Sequence, residues 1–394
     1  MRTLIKNVKI VRPSGILENH ALIIDGGKIE ALIKQDAINE KDYKTIINGK
    51  FNYLAPGFID IHNHGNSGYD TMDATNEALT RIAAYHLKNG VTSFLATTIS
   101  SPKTALNQAL LNLKEYHQIQ RQNKATATLE GIYFEGPYFN VEKKGAQPKS
   151  AIIKPKIEEM KGFIKTANHL IKVVAFAPEI EGALDLATFL KKENIIAAMA
   201  HTNATYKESL KGFEAGVSLA THLYNGMRGF THREPGALGA ILTDANIYAE
   251  MIVDGVHLHD AAITLALKAK GTDKLILISD AMRAAGLKDG IYDLGGQKVE
   301  TKNTEARLVE TGSIAGSTLN LNQAAKNMLK TQDVSIVDIV NMASTNPAKL
   351  LNLKHIGTIE PGKRADLILF DQDFNLKNII KFGQEMANLS EAKT

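Results

Sequence analysis

Apolar and polar positions alternate along this chain in two distinct textures. From the start to about residue 55 the pattern is one of short strands and tight turns. TLIKNVKIV comes first, then ENHALIIDGGKIEALI with a hairpin signal at Gly26-Gly27, then YKTIINGKFNYLAPG. Near the other end, GTIEPGKRADLILFDQDFNL has the same texture, a Pro-Gly turn leading into the apolar run Leu367–Phe370. The two ends are expected to pair, residues 1–55 with 357–394, in one small β-sandwich that is discontinuous in sequence.

Across residues 56–356 the texture changes. Short apolar runs that read as buried parallel strands alternate with helical patterns. The runs are GFIDIHNH (57–64), TSFLATT (92–98), LEGIYFEG (129–136), IKVVAFAPE (171–179), IIAAMAH (195–201), VSLATHLY (217–224), YAEMIVDG (248–255) and KLILISDA (274–281). Helices are predicted over 75–88, 103–122, 181–193 and 204–214, among others. Eight strand–helix units fit an α/β fold of the TIM-like (β/α)8 type, which usually needs about 250 residues. An open doubly wound sheet is the alternative architecture.

Composition changes this picture in one respect. Of 394 residues, 44% are hydrophobic and 22% charged, which is ordinary for a globular enzyme. Lys+Arg 46 against Asp+Glu 42 leaves a formal +4, too weak and too dispersed for a nucleic-acid partner. No run reaches the ~18 apolar residues of a membrane span. MRTLIKNVKIVRPSG carries charges where a signal peptide has its apolar core, so the chain reads as cytoplasmic. The informative entry is Cys 0, which excludes disulfides, thiolate nucleophiles and thiolate metal sites. A metal here must be held by imidazole and carboxylate.

On the barrel frame the polar residues fall in one place. His62 and His64 end the first strand, Glu135 the third and His201 the fifth. His222 lies late in the sixth, His257 follows the seventh, and Asp280 closes the eighth. All of these positions lie at the C-terminal mouth, where barrel active sites sit. Residues two apart on a strand point the same way, so His62 and His64 can reach one ion. A lone histidine at a strand end is more often a hydrogen-bonded core or surface residue, and a lone carboxylate there more often a helix cap. So many at the same end argue for a nitrogen/oxygen site suited to zinc, iron or manganese. His20, His86, His117, His169, His232, His259 and His355 read as structural, mostly in loops or on polar helix faces. GSIAGST around Gly316 is a weak phosphate-cradle signal, since it lacks the P-loop lysine and follows no predicted strand.

PGFIDIHNHG resembles the opening motif of the amidohydrolase superfamily, and NPAKLLNLKHIGTIEPGKRADLILFD its usual ending. Within that superfamily, YFEGPYFNVEKKGAQP, AHTNATY, ATHLYNGM, the REPG of 233–236, VDGVHLH and ISDAM are similar to the N-acetylglucosamine-6-phosphate deacetylases from end to end. The resemblance implies a barrel with a β-sandwich built from both termini. It implies Glu135, His201 and His222 as ligands of a principal metal and Asp280 as the catalytic acid/base. With His62 and His64 both present, it also implies a second metal shared through Glu135, with Asp280 as a further ligand. One or two divalent ions per subunit are therefore expected, zinc, iron or manganese. Gln147 stands where some relatives have a histidine that polarises the substrate carbonyl; it can donate a hydrogen bond but cannot carry a proton.

The substrate side follows from the same resemblance. Asn225, the backbone of Gly226, Arg233 and His257 match residues that hold a sugar phosphate, and a guanidinium grips phosphate in bidentate fashion. In relatives the corresponding arginine reaches across a dimer interface, so a homodimer is expected. The expected reaction is hydrolysis of N-acetylglucosamine 6-phosphate to glucosamine 6-phosphate and acetate, in amino-sugar catabolism. Asp280 would take a proton from the attacking water and pass it to the amine. The galactosamine epimer is an alternative substrate. A dihydroorotase or hydantoinase is disfavoured: those commonly bridge two metals with a carboxylated lysine at the end of strand four, whereas IKVVAFAPE has Lys172 at its beginning. A barrel that had become a non-catalytic scaffold would be expected to have lost ligands, and none is missing.

Overall fold

The computed structural model describes residues 2–120 and 125–386. The last residues of the helix predicted to 122, and those of the terminal segment beyond 386, lie outside them. The chain begins with β1 (Thr3–Arg12), β2 (Gly15–Asp25), β3 (Lys28–Lys34) and β4 (Thr45–Pro56). β2 runs antiparallel to β1 and β3, and β4 runs parallel to β1. The β2–β3 turn places Gly26 at φ 57° and Gly27 at φ 80°, a left-handed pair that glycine takes without a Cβ penalty.

The barrel follows. Its strands are β5 (Phe58–Asp60) and, after a small hairpin of β6 (Gly65–Asn66) and β7 (Tyr69–Asp70), β8 (Val91–Thr97), β9 (Thr128–Tyr138), β10 (Ile171–Phe176), β11 (Ile196–Met199), β12 (Val217–Ala220), β13 (Tyr248–Ile252) and β14 (Leu275–Ile278). They lie in strict sequence order from β5 to β14, each pair parallel. The ends of this sheet meet just past the ladders. The Asp280 amide donates to the His62 carbonyl (2.9 Å) and the His64 amide to the Ala281 carbonyl (2.8 Å). The buried Asp60 carboxylate accepts the Ser279 hydroxyl (2.5 Å) and amide (3.3 Å). The architecture is a (β/α)8 barrel. Each predicted apolar run holds one strand, but most ladders other than that of β9 stop early: β5 ends at Asp60, so His62 and His64 lie beyond it.

The helices between strands follow local signals. Thr75 caps Asn76–Lys88 by accepting the Ala78 amide, and Thr205 with Glu208 forms a capping box at the start of Tyr206–Ala215. His86, expected to be structural, lies on the buried face of its helix rather than on a polar one. It is buried against Phe94, ring centroids 4.9 Å apart, and burial pulls it down to about 3, so it is a neutral core residue.

After β14 comes a meander absent from the predicted strands: β15 (Gly290–Leu294), β16 (Gln297–Lys302) and β17 (Glu305–Leu308), all antiparallel. Its apolar residues are few and interspersed with charged ones, and Leu294, Val299, Ala306 and Leu308 pack with Met282 and Ile99 at the barrel mouth. GSIAGST therefore does follow a strand, β17, and Ile314 and Gly316 line the mouth cavity. The pattern was too short and too charged to stand out from the loop around it.

The chain ends in β18 (Leu367–Phe370), β19 (Leu376–Lys381) and β20 (Gln384–Glu385), joined through β18 to β4 in one seven-stranded sheet. This sheet curls on itself. Lys28 bridges Arg364, and the Ile29 amide donates to the Lys363 carbonyl (2.8 Å), enclosing Ile5, Leu22, Leu54, Leu367 and Ile380. A buried ionic cluster fixes it to the base of the barrel. The Lys381 ammonium donates to the Asp366 carboxylate (2.6 Å), the Thr92 carbonyl (2.8 Å) and the Thr128 hydroxyl (2.8 Å). Arg364 joins Asp366 (2.6 Å) to Glu130 (2.9 Å). Burial raises Glu130, but His355 and Arg364 outweigh it and hold the group at about 2. Removing one member strands the other charges, so Lys381→Met is expected to cost about 3 kcal/mol. An unchanged urea midpoint would show that Arg364 alone satisfies Asp366.

Candidate active site

Three residues before the end of β9, Glu135 lies at the mouth with four histidines around it. Its Oε1 lies 3.4 Å from His201 Nε2, 3.3 Å from His222 Nε2 and 3.7 Å from His62 Nε2; its Oε2 lies 3.3 Å from His64 Nε2. Asp280 reaches two of the same imidazoles as Glu135, its Oδ1 being 3.5 Å from His62 Nε2 and 3.4 Å from His64 Nε2. The donor atoms fall into two groups, His62–His64–Asp280 and Glu135–His201–His222, each with its atoms within 4.8 Å of one another. All six residues are buried.

The donors suit a divalent cation. His62 Nε2 is buried, makes no hydrogen bond, and faces two carboxylates. Burial alone would lift the carboxylates and lower the imidazoles. Instead Glu135 is held well below the usual carboxylate range by His201, His222, His64 and His62. Asp280 is lowered by His62 and His64. Burial pushes His62 down, yet Glu250, Asp280 and Glu135 together lift it to about 9; Asp280 and Glu135 lift His64 to about 10 in the same way. Carboxylates and imidazoles packed this closely favour a positive charge among them, which a divalent cation could supply.

Several of these residues carry unusual backbone conformations. His201 (φ 44°), His222 (φ 31°) and Asp280 (φ 47°) are all left-handed, a region that residues other than glycine enter at a cost. Neighbours hold them there. His201 Nδ1 contacts the Lys143 carbonyl (2.9 Å), and His222 Nδ1 the Asn225 carbonyl (3.2 Å). These contacts leave each Nε2 directed at Glu135.

The cavity at the cluster is lined by Asn225, Gly226 and His257 and by apolar Ile99, Leu294 and Ile314. His257 Nδ1 is held by the Asp254 carboxylate (2.7 Å). Gln147 is fixed at both ends: its Oε1 accepts the Ser100 amide (2.9 Å) and its Nε2 donates to Glu135 Oε2 (2.7 Å). Arg233 is the candidate that the fold does not bring in. It is exposed, does not line the cavity, and has no carboxylate within ion-pair distance among the described residues. Glu234 does not pair with it, accepting instead the Tyr206 (2.8 Å) and Gly236 (3.0 Å) amides.

Sequence patterns passed over Asp60 and Glu250. Both lie inside apolar strands, and a carboxylate in such a run, as in YAEMIVDG, is itself a signal because burying it without a partner is costly. Both are buried against the segments that carry His62 and Asp280.

The profile of the Amidohydrolase family matches residues 53–390. The chain belongs to the amidohydrolase family. It is 41% identical over 371 residues to N-acetylglucosamine-6-phosphate deacetylase of Bacillus subtilis (strain 168), covering 94% of this chain and 93% of that one. It is 36% identical over 378 residues to N-acetylgalactosamine-6-phosphate deacetylase of Escherichia coli O157:H7, covering 95% and 97%. Among solved structures, N-acetylglucosamine-6-phosphate deacetylase from Pasteurella multocida superposes with a TM-score of 0.92 at 31% identity, over 98% of this chain and 100% of that one.

Proposed function

We propose that this amidohydrolase removes the acetyl group of N-acetylglucosamine 6-phosphate, giving glucosamine 6-phosphate and acetate, in amino-sugar catabolism. The observation that carries the reading is Glu135 surrounded by four histidines, two of them also in reach of Asp280, in a cavity also lined by Asn225, Gly226 and His257. One or two divalent ions, zinc, iron or manganese, would be held by Glu135, His201 and His222 and by His62, His64 and Asp280. A bound ion supplies Lewis acidity and lowers the pKa of water from ~15.7 towards ~7.

The chain's own groups do the rest. Asp280 accepts a proton from the attacking water and delivers it to the departing amine, serving first as base and then as acid. Gln147 Nε2 has a second N–H beyond the one given to Glu135, available to the amide carbonyl as it gains negative charge. Asn225, the Gly226 backbone and His257 hold the sugar. A doubly charged sugar phosphate does not cross a bilayer unaided, so the proposed place of action is the cytoplasm.

The phosphate grip is assigned to Arg233 in a homodimer, each arginine serving the neighbouring site, which accords with its exposure and distance from the cavity of its own chain. Arg233→Ala should raise the Michaelis constant at least tenfold and erase the preference for phosphorylated over plain sugar. Steady-state kinetics on both sugars check this, and a surviving preference would remove Arg233 from the phosphate site. The likeness to an N-acetylgalactosamine-6-phosphate deacetylase supports a second reading, the C4 epimer. Acetate release from the two epimers side by side, with metal content measured on the same preparation, tests both; release from neither would overturn the proposal.

A further inference from the structure

We propose that Glu250 is a positioning residue, its carboxylate fixing one histidine from each half of the metal site. The inference rests on the metal-site reading above and adds a residue to it. Glu250 lies in the middle of β13, fully buried between Ala249 and Met251. Its Oε2 accepts from His62 Nδ1 (3.0 Å) and from the backbone amide of His222 (3.2 Å). Its Oε1 is buried with no hydrogen-bond partner among the described residues.

Each contact has a distinct consequence. With the proton held on Nδ1, His62 presents the lone pair of Nε2 towards Asp280 and Glu135, at 3.5 and 3.7 Å. A carboxylate in this place also makes the imidazole a stronger donor to a cation, as carboxylate–histidine pairs do beyond many metal ligands. The second contact reaches His222 at its left-handed backbone position. Accepting that amide secures the turn that directs His222 Nε2 at Glu135. Packing does not account for the residue, because an apolar side chain would fill β13 without leaving an oxygen unpaired. Asp60, another buried carboxylate nearby, reaches only backbone at the metal-site histidines: it accepts the Ser279 hydroxyl and amide at the barrel seam and the His62 amide at 3.4 Å.

The test is a cobalt titration of metal-stripped protein, followed by visible absorption and calorimetry, with no substrate present. Glu250→Gln preserves shape and removes the charge, and it is expected to weaken uptake at the His62–His64–Asp280 group by about 10–100-fold. The metal-free protein should melt within a few degrees of the parent. Glu250→Ala should weaken uptake further and affect the His222 group as well. Acting through His62 also requires that Glu250→Gln add little to His62→Ala, a coupling that a merely structural role would not produce. Parent-like cobalt binding by Glu250→Gln, or full additivity with His62→Ala, would overturn the assignment. Failure of the deacetylase reading shows separately: the parent then binds cobalt but releases no acetate from either epimer. A parent that binds no cobalt overturns both.

Discussion

Asp280→Asn is expected to keep substrate binding and lose about 10²–10⁴ of turnover, the usual contribution of a positioned acid–base group. Asp280 is a carboxylate at the barrel mouth within 3.5 Å of both His62 and His64. The end of β14 places it there, and the left-handed backbone at φ 47° is tied at its amide to the His62 carbonyl. Asparagine has the same shape and can still offer a carbonyl oxygen to a metal at the His62–His64 group. It cannot take a proton from water or return one to an amine. Initial rates of acetate release, with metal content and the Michaelis constant measured alongside, separate the two functions. Near-normal turnover with full metal would end the acid–base assignment.

Glu135→Gln is expected to be more damaging still, because this one carboxylate faces all four histidines. Its loss removes the negative charge common to both groups and leaves buried imidazoles crowded together. Metal affinity should fall beyond the 10–100-fold typical of an outer partner, and activity should fall to background. Elemental analysis after dialysis reads the first effect; a variant retaining full metal would refute the central role. The same electrostatics predict a pH dependence. With His62 at about 9 and His64 at about 10, both are protonated near neutrality in the metal-free protein. Metal must displace those protons, so affinity should rise with pH up to about that range and uptake should release protons. Calorimetry in buffers of differing ionisation enthalpy measures the release, and uptake without any would contradict it.

The site was legible to the extent that it rests on local pattern. His62-x-His64 after an apolar strand, Glu135 after IYF and Asp280 after ILIS stand out because each is polar at the end of an apolar run. Glu250 was not legible in the same way. Its strand was recognised, but its partners, His62 and His222, are 188 and 28 residues away. His86 reads as structural and is so, but helical spacing does not reveal that it is buried against Phe94. The β15–β17 meander was hidden because a strand with one apolar face and charged intervening residues resembles loop over so short a span.

By itself, then, the sequence determined the eight strands, the mouth at which their polar residues gather, and a nitrogen/oxygen donor set free of thiolate. Those properties follow from hydrophobic period and residue chemistry, which act over a few positions. Only the tertiary structure decided which donors share an oxygen, that β5 and β14 meet to bring Asp280 to His62, that the meander walls the cavity, and that Arg233 stands away from it. Those depend on contacts between segments far apart in the chain. Local pattern tells whether a side chain is buried, but barrel closure chooses its neighbours.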